Sequence, residues 1–261
     1  MRVAVVQTNP VFGEVSSNVA GALDLMVTSS ADLYVLPELF NTGYNFVDRR
    51  EADQLAETTT GSTFQAIAEF ARKKKAYVAY GFAERADRIY NSAVLAGPSG
   101  IIGVYRKVHL YNRENLFFAP GNLGFPVFDL SFGRIGIMIC FDWIYPESAR
   151  TLAIKGAQLI VHPSNLVLPH CPDAMVTRCL ENRVFAATAD RVGREDRGGL
   201  ELRYIGKSEI VSPQGEILAR LGGDEAGVAV AEVDLTLASN KKINQYNDLF
   251  GGRKVEQYQI D

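Results

Sequence analysis

The sequence predicts an α/β fold, a four-layer α-β-β-α sandwich of two mixed β-sheets, on three observations. Short β-rich apolar runs alternate with helix-periodic stretches along all 261 residues. The two halves of the chain echo each other: "RVAVVQ" at 2 resembles "RIGIMI" at 134, "ADLYVLPEL" at 31 resembles "AQLIVHPSN" at 157, and "GPSGII" at 97 resembles "SPQGEIL" at 212. The offsets of 132, 126 and 115 residues drift as loop insertions would make them drift. Finally, several buried strands stop on polar residues able to do chemistry. Two similar units sharing one core pack most simply as two sheets face to face with helices outside. A single doubly wound sheet is the competing arrangement.

The elements follow in order. Arg2–Gln7 reads as a strand, and 16–27 as a helix behind a serine cap, with Val19, Ala22, Leu23, Met26 and Val27 at helical spacing. Leu33–Leu36 is a strand; Phe64, Ile67, Ala68 and Ala71 mark a second amphipathic helix; Tyr77–Phe82 is a third strand. Residues 91–107 read as a hairpin about Pro98–Gly100. Ile135–Ile139 is a buried strand, and the helix Pro146–Lys155 has proline at its start and Gly156 just past its end. Leu159–Val161 is a strand, Val176, Cys179, Leu180 and Arg183 mark a helix, and strands follow near 184–190, 204–212, 216–220 and 227–233. Residues 1–234 form a single domain by this reading, and the polar stretch 235–261 is a tail packing on the domain or on a partner subunit.

Composition narrows the function. A net charge of −3 with acidic and basic residues mixed along the chain offers no basic stripe for nucleic acid. No apolar run approaches the roughly 18 residues of a membrane span, and the start reads as a strand, not a signal peptide. Three cysteines with no export signal point to the cytoplasm, where a thiol is core, metal ligand or nucleophile.

Three strand ends carry the chemistry. Glu38 follows Pro37 inside "YVLPELF", and a carboxylate between leucines is costly to bury without a partner; it is a salt-bridged core residue or a general base. Lys107 ends a strand that begins at Ile101 and precedes Glu114 and the pair Phe117–Phe118; it is either solvated or held in a pocket where it stabilises negative charge, with Glu114 orienting it. Cys140 terminates an apolar strand and is core filler or a nucleophile needing a base. In open α/β folds, ligand groups gather at strand carboxyl ends.

These residues lie in four blocks: "VLPELFNTGY" at 35, "YRKVHLYNRENLFFAPG" at 105, "GIMICFDWIYPESARTLAIKGAQLIVHPSN" at 136 and "ENRVFAATADRVG" at 181. In this order they resemble the nitrilase superfamily of carbon–nitrogen hydrolases over nearly the whole chain, and the short length resembles its prokaryotic small-amide amidase branch. The resemblance implies the four-layer sandwich, a Glu38–Lys107–Cys140 triad, a further glutamate at Glu114, no cofactor or metal, and a homodimer or higher homo-oligomer. It implies hydrolysis of a small amide to acid and ammonia through a cysteine thioester. Tyr44 in the loop 41–46, with Phe141 and Trp143, is expected to line the substrate pocket, against ordinary aromatic packing. The residues after Cys140, "FDWIYPE", lack the "CWE" block of typical nitrile-cleaving members and the arginine-bearing block of carbamoyl-cleaving ones.

Other signals are weaker. Cys179 sits at core spacing, Cys171 reads as loop, and His109 and His162 as local packing or hydrogen bonding. His162, His170 and Cys171 lack zinc spacing. The "GKS" at 206–208 lacks the upstream glycine of a phosphate loop, and Gly97, Gly100 and Gly103 form no dinucleotide fingerprint. The alternatives are N-carbamoyl-amine, ω-amide or nitrile hydrolysis, with Arg178 or Arg191 as the cation an ω-amide would need, and, from another class, a non-catalytic small-molecule binder.

Overall fold

The computed structural model describes residues 1–258. Its first unit runs β1 (Arg2–Gln7), α1 (Val15–Val27), β2 (Leu33–Val35), α2 (Arg49–Leu55), α3 (Ser62–Lys74), β3 (Tyr77–Arg85), β4 (Ile89–Gly97) and β5 (Gly100–Arg106), then the short α4 (Glu114–Phe117). The second runs β6 (Val127–Leu130), β7 (Gly133–Ile137), α5 (Pro146–Ile154), β8 (Leu159–Pro163), α6 (Cys171–Asn182), β9 (Phe185–Ala189), β10 (Arg194–Arg197), β11 (Leu200–Arg203), β12 (Glu209–Val211) and β13 (Ile217–Arg220). The last strand, β14 (Gly227–Glu232), returns to pair with β1.

Two six-stranded sheets result, ordered β14-β1-β2-β3-β4-β5 and β6-β7-β8-β9-β12-β13. Each has an antiparallel edge strand, three parallel strands, then two antiparallel ones. The internal echoes are therefore topological: β1 matches β7, β2 matches β8, and the β4–β5 hairpin matches β12–β13.

Side-chain alternation sorts the layers. In sheet one, Val3, Val5, Leu33 and Val35 join Ile135, Ile137, Leu159 and Val161 of sheet two in one buried core. The alternate residues, Ala4, Val6, Tyr34 and Leu36, pack against Val19, Ala22 and Met26 of α1 and Ile67, Phe70 and Ala71 of α3. On the far side, α5 and α6 cover sheet two with Leu152, Met175 and Cys179. This is the four-layer sandwich. The parallel strands of both sheets and β5 end at one edge, where the chemistry collects.

Several local expectations are corrected. α1 has no serine cap: it starts at Val15 after Gly13 (φ 81°), and Asn18 clasps both backbone polar groups of Val11 at 2.8 and 2.7 Å, so the entry is set from inside the helix. Cys171 is no loop residue; it opens α6 beside Pro172 and is fully buried. The strand expected at 204–212 shrinks to β12 because Gly206 (φ 60°) and Lys207 (φ 58°) bend the chain away. β7 ends at Ile137, two residues short of expectation. Two further elements have no expected counterpart: α2, whose only buried residue is Ala52, and the charged β10–β11 hairpin, although Gly198–Gly199 between its strands is a turn dipeptide. No helix among the described residues is long and apolar enough to cross a membrane.

Candidate active site

Glu38 stands just beyond β2, on backbone that keeps pairing with β3: Gly81 N–H donates to Pro37 O at 3.1 Å and Phe40 N–H to Gly81 O at 3.3 Å. A side chain at Gly81 would put its Cβ 2.5 Å from Glu38 Cα, so this close approach requires glycine. Leu39 takes φ 49°, a strained turn directly after the carboxylate. Lys107 follows β5; its N–H donates to Asn91 O at 2.8 Å, and its carbonyl accepts from Gly121 N–H at 2.8 Å.

Cys140 begins a 3-10 turn, Cys140–Ile144, with φ 41°. The turn is organised by buried Asp142. Its Oδ2 accepts from Ile139 N–H at 2.9 Å and Tyr105 O–H at 2.6 Å; its Oδ1 accepts from His109 Nδ1–H at 2.8 Å. The His109 ring stacks on Tyr145 with centroids 3.7 Å apart.

The strand ends meet in a buried polar cluster. Lys107 Nζ donates to Glu38 Oε1 at 2.7 Å and to Glu114 Oε1 at 2.6 Å. Lys107 and Glu38 are wholly shielded from solvent, and Glu114 nearly so. Asn91 Nδ2 donates to Glu38 Oε1 at 2.6 Å and Glu114 Oε2 at 3.3 Å, and Tyr44 O–H donates to Glu114. Asn165 ties the thiol to this cluster: its carbonyl accepts from Cys140 Sγ at 3.7 Å, and its Nδ2 donates to Glu38 O at 2.8 Å. Among the described residues, Glu38 Oε2 makes no hydrogen bond to protein.

Burial sets the protonation states. Desolvation lifts the Glu38 carboxyl to about 7; the Lys107 ammonium opposes the rise and the Glu114 charge adds to it. Burial works against the Lys107 charge, but the Glu114 and Glu38 carboxylates overcome it and hold the amine protonated above its ordinary range. The Cys140 thiol is pushed well up, first by burial and then by Glu38, with Lys107 opposing. At neutral pH the thiol is thus protonated next to a carboxyl poised to exchange a proton.

Two clefts adjoin the cluster and share Tyr111. The one that borders Cys140 is a shallow, partly open cleft lined by Phe141, Trp143, Asn165 and Leu166–Leu168. The other is lined by Tyr44, Asn45, Phe46, Glu114, Phe117, Phe118 and neighbours. Of the three aromatic residues singled out from sequence, Phe141 and Trp143 therefore sit on the Cys140 cleft, while the Tyr44 hydroxyl is engaged by Glu114. Neither candidate cation is free. Arg191 is buried, paired to Glu195 and bonded to Pro10 O at 2.9 Å; Arg178 donates to Trp143 O at 3.2 Å and pairs with Glu181. Glu195 in turn accepts from Asn45 N–H at 2.7 Å, fixing the loop that carries Tyr44. Among the described residues no cluster of His, Cys, Asp and Glu is arranged to hold a metal ion.

Sequence reasoning missed Asn91, Asn165 and Asp142. Asn91 left a trace, an amide within the wholly buried strand β4, which has to find partners. Asn165 and Asp142 left none, because most of their partners, Glu38 O for the first and Tyr105 and His109 for the second, are distant in the chain.

The family profile described as carbon-nitrogen hydrolase matches residues 2–242. A protein named nitrilase from Pyrococcus abyssi is 51% identical over 263 residues, covering 99% of each chain. An (R)-stereoselective amidase from a Pseudomonas species is 35% identical, over 90% of this chain and 85% of its own. Among solved structures, a glutamate-to-glutamine mutant of the amidase from Nesterenkonia sp. AN1 superposes with a TM-score of 0.85 at 26% identity, covering 99% of this chain and 95% of that one; it carries the acetamide moiety of fluoroacetamide added covalently at its active-site cysteine.

Proposed function

The chain belongs to the carbon–nitrogen hydrolase family of the nitrilase superfamily and is a cysteine-dependent enzyme of that kind; from this premise we propose that it hydrolyses small, uncharged amides to a carboxylic acid and ammonia. The observation that carries the reading is Lys107 Nζ bridging Glu38 and Glu114 without solvent contact, beside a cleft that opens onto Cys140.

In this mechanism Glu38 takes the Cys140 proton as the thiolate attacks the amide carbonyl. Lys107 and the Phe141 N–H stabilise the oxyanion, an effect worth about 3–4 kcal/mol per donor elsewhere. Glu38 returns the proton to the leaving nitrogen, ammonia departs and a thioester remains. Water deprotonated by Glu38 then releases the acid. Glu114, steadied by Tyr44, keeps Lys107 charged and aimed. Phe141 and Trp143 line the acyl pocket.

The Cys140 cleft carries no charged side chain in its lining, which favours a neutral substrate over the ω-amide of a dicarboxylate or a carbamoylated polyamine. Nitrile hydrolysis is the second reading, favoured by the name of the 51% identical relative. A panel of aliphatic, aromatic, ω-carboxylated, carbamoyl and nitrile compounds scored for ammonia release tests the proposal. Neutral amides should turn over fastest, and Cys140→Ala should abolish release. Turnover of nitriles alone, or tight amide binding with no turnover, would overturn it.

A further inference from the structure

The internal repeat isolates one residue that the mechanism leaves unused. β8 of the second unit corresponds to β2 of the first at an offset of 126 residues, which sets His162 opposite Leu36. Leu36 is ordinary core, packed toward α1 and α3. His162 is equally buried, on the same strand position of the other sheet, yet it is an imidazole. Burying that polar ring is costly unless both nitrogens find partners.

They do. His162 Nε2 lies 2.9 Å from the Cys140 carbonyl oxygen, which can only accept, so Nε2 carries the proton. Nδ1 then accepts from Thr188 Oγ1 at 3.1 Å, across the paired strands β8 and β9. Ser164 Oγ sits 3.2 Å from Nε2 and donates to the His162 carbonyl at 3.3 Å. Burial lowers the ring's affinity for a second proton to a value of about 4, so it remains a neutral, single-tautomer donor at working pH.

The consequence lies in the Cys140–Phe141 peptide. Cys140 holds a left-handed backbone that a non-glycine residue adopts only when its surroundings impose it. The peptide is trans, so its N–H points opposite to its C=O. Fixing the carbonyl on His162 Nε2 aims the Phe141 N–H in the opposite direction. We propose that His162 is a positioning residue: by clamping the Cys140 carbonyl through Nε2, it orients the Phe141 N–H as an oxyanion donor. This deepens the amidase reading and rests on it for the identity of the donor.

The test separates acylation from thiol reactivity. Acylation by p-nitrophenyl acetate needs an oxyanion donor; alkylation by iodoacetamide needs only the thiolate. His162→Leu, the residue the first unit accommodates at this position, should cut the acylation burst rate about 100-fold, leaving alkylation and KM within about threefold. His162→Gln, whose Nε2 can reach the same carbonyl, should recover acylation to within about tenfold of wild type. Wild-type acylation in His162→Leu overturns the proposal. So does a parallel loss of acylation and alkylation, which would mark a purely structural role, or a His162→Gln variant no better than His162→Leu. If wild-type protein acylates with the ester but releases no ammonia from any amide, the amidase reading fails while the clamp is still measured.

Discussion

Glu38 is held where ionising costs free energy. Its carboxyl is raised from about 4.5 to about 7 by desolvation, so the folded protein binds this proton more tightly than the unfolded chain. The sign follows: the stabilisation is complete below about 4.5 and is lost as pH rises through about 7. Glu38→Gln, neutral at every pH, should therefore melt close to wild type at pH 5 and above it at pH 8, in calorimetry. As proposed base, Glu38 must be ionised to act, so kcat/KM for an amide should rise with pH to a plateau beyond about 7. Glu114 contributes to the elevation by like charge. Glu114→Gln should move that acid limb to lower pH and reduce kcat, because Lys107 loses a partner; a limb that stays in place would show that Glu114 is not coupled to Glu38. Much of this chemistry is legible in the sequence: Glu38, Lys107 and Cys140 interrupt apolar surroundings, and the resemblance of their blocks favours reactive roles over core pairing, solvation or core filling. His162 is less so: a histidine in a strand reads as local packing until the Cys140 carbonyl is seen beside it.

Secondary elements place these groups through close backbone approach. Gly81 lets β3 run against the Glu38 turn, and a Cβ there would meet Glu38 Cα and Leu39 N. Gly81→Ala should destabilise the protein by roughly 1–3 kcal/mol, typical of strain in a packed core, and depress kcat/KM more than the same loss of stability elsewhere. A variant with wild-type Tm and activity would mean the turn is not constrained by β3. The central strands are legible as apolar runs because both their faces are buried, and α3 and α5 because each buries one face, which imprints its period on the sequence. α2 and the β10–β11 hairpin are not, because they are held by charges: Asp48 caps α2 by accepting from Glu51 N–H at 2.9 Å, and Glu51 pairs with Arg197 of β10 at 2.6 Å. Polar clasps of that kind leave no periodicity, and Gly13 and Asn18 displaced the expected serine cap for the same reason.

At the scale of the molecule, two copies of one topology face each other, and the polar edge draws unequal contributions from them. The first unit supplies Glu38, Asn91 and Lys107; the second supplies Cys140, Asn165 and His162. The repeat was readable from three short echoes, and the meeting of the strand ends was expected from their chemistry and the family resemblance; the contacts that join them depend on how the sheets stack and were not. Residues after β14 expose Ile243, Tyr246 and Val255. With the homo-oligomer expected from the family resemblance, light scattering should give at least a dimer, and truncation after Ser239 should lower that mass. A monomeric full-length chain would remove the tail as an interface.

The central claim is that an acid, an amine and a thiol share one buried site, and the pH dependence of Cys140 alkylation tests it most directly. Iodoacetamide with peptide mapping should label Cys140 ahead of Cys171 and Cys179, at a rate that climbs through about pH 7 in wild type and loses that limb in Glu38→Gln. An unchanged profile in Glu38→Gln, or labelling spread evenly over the three cysteines, would contradict the account.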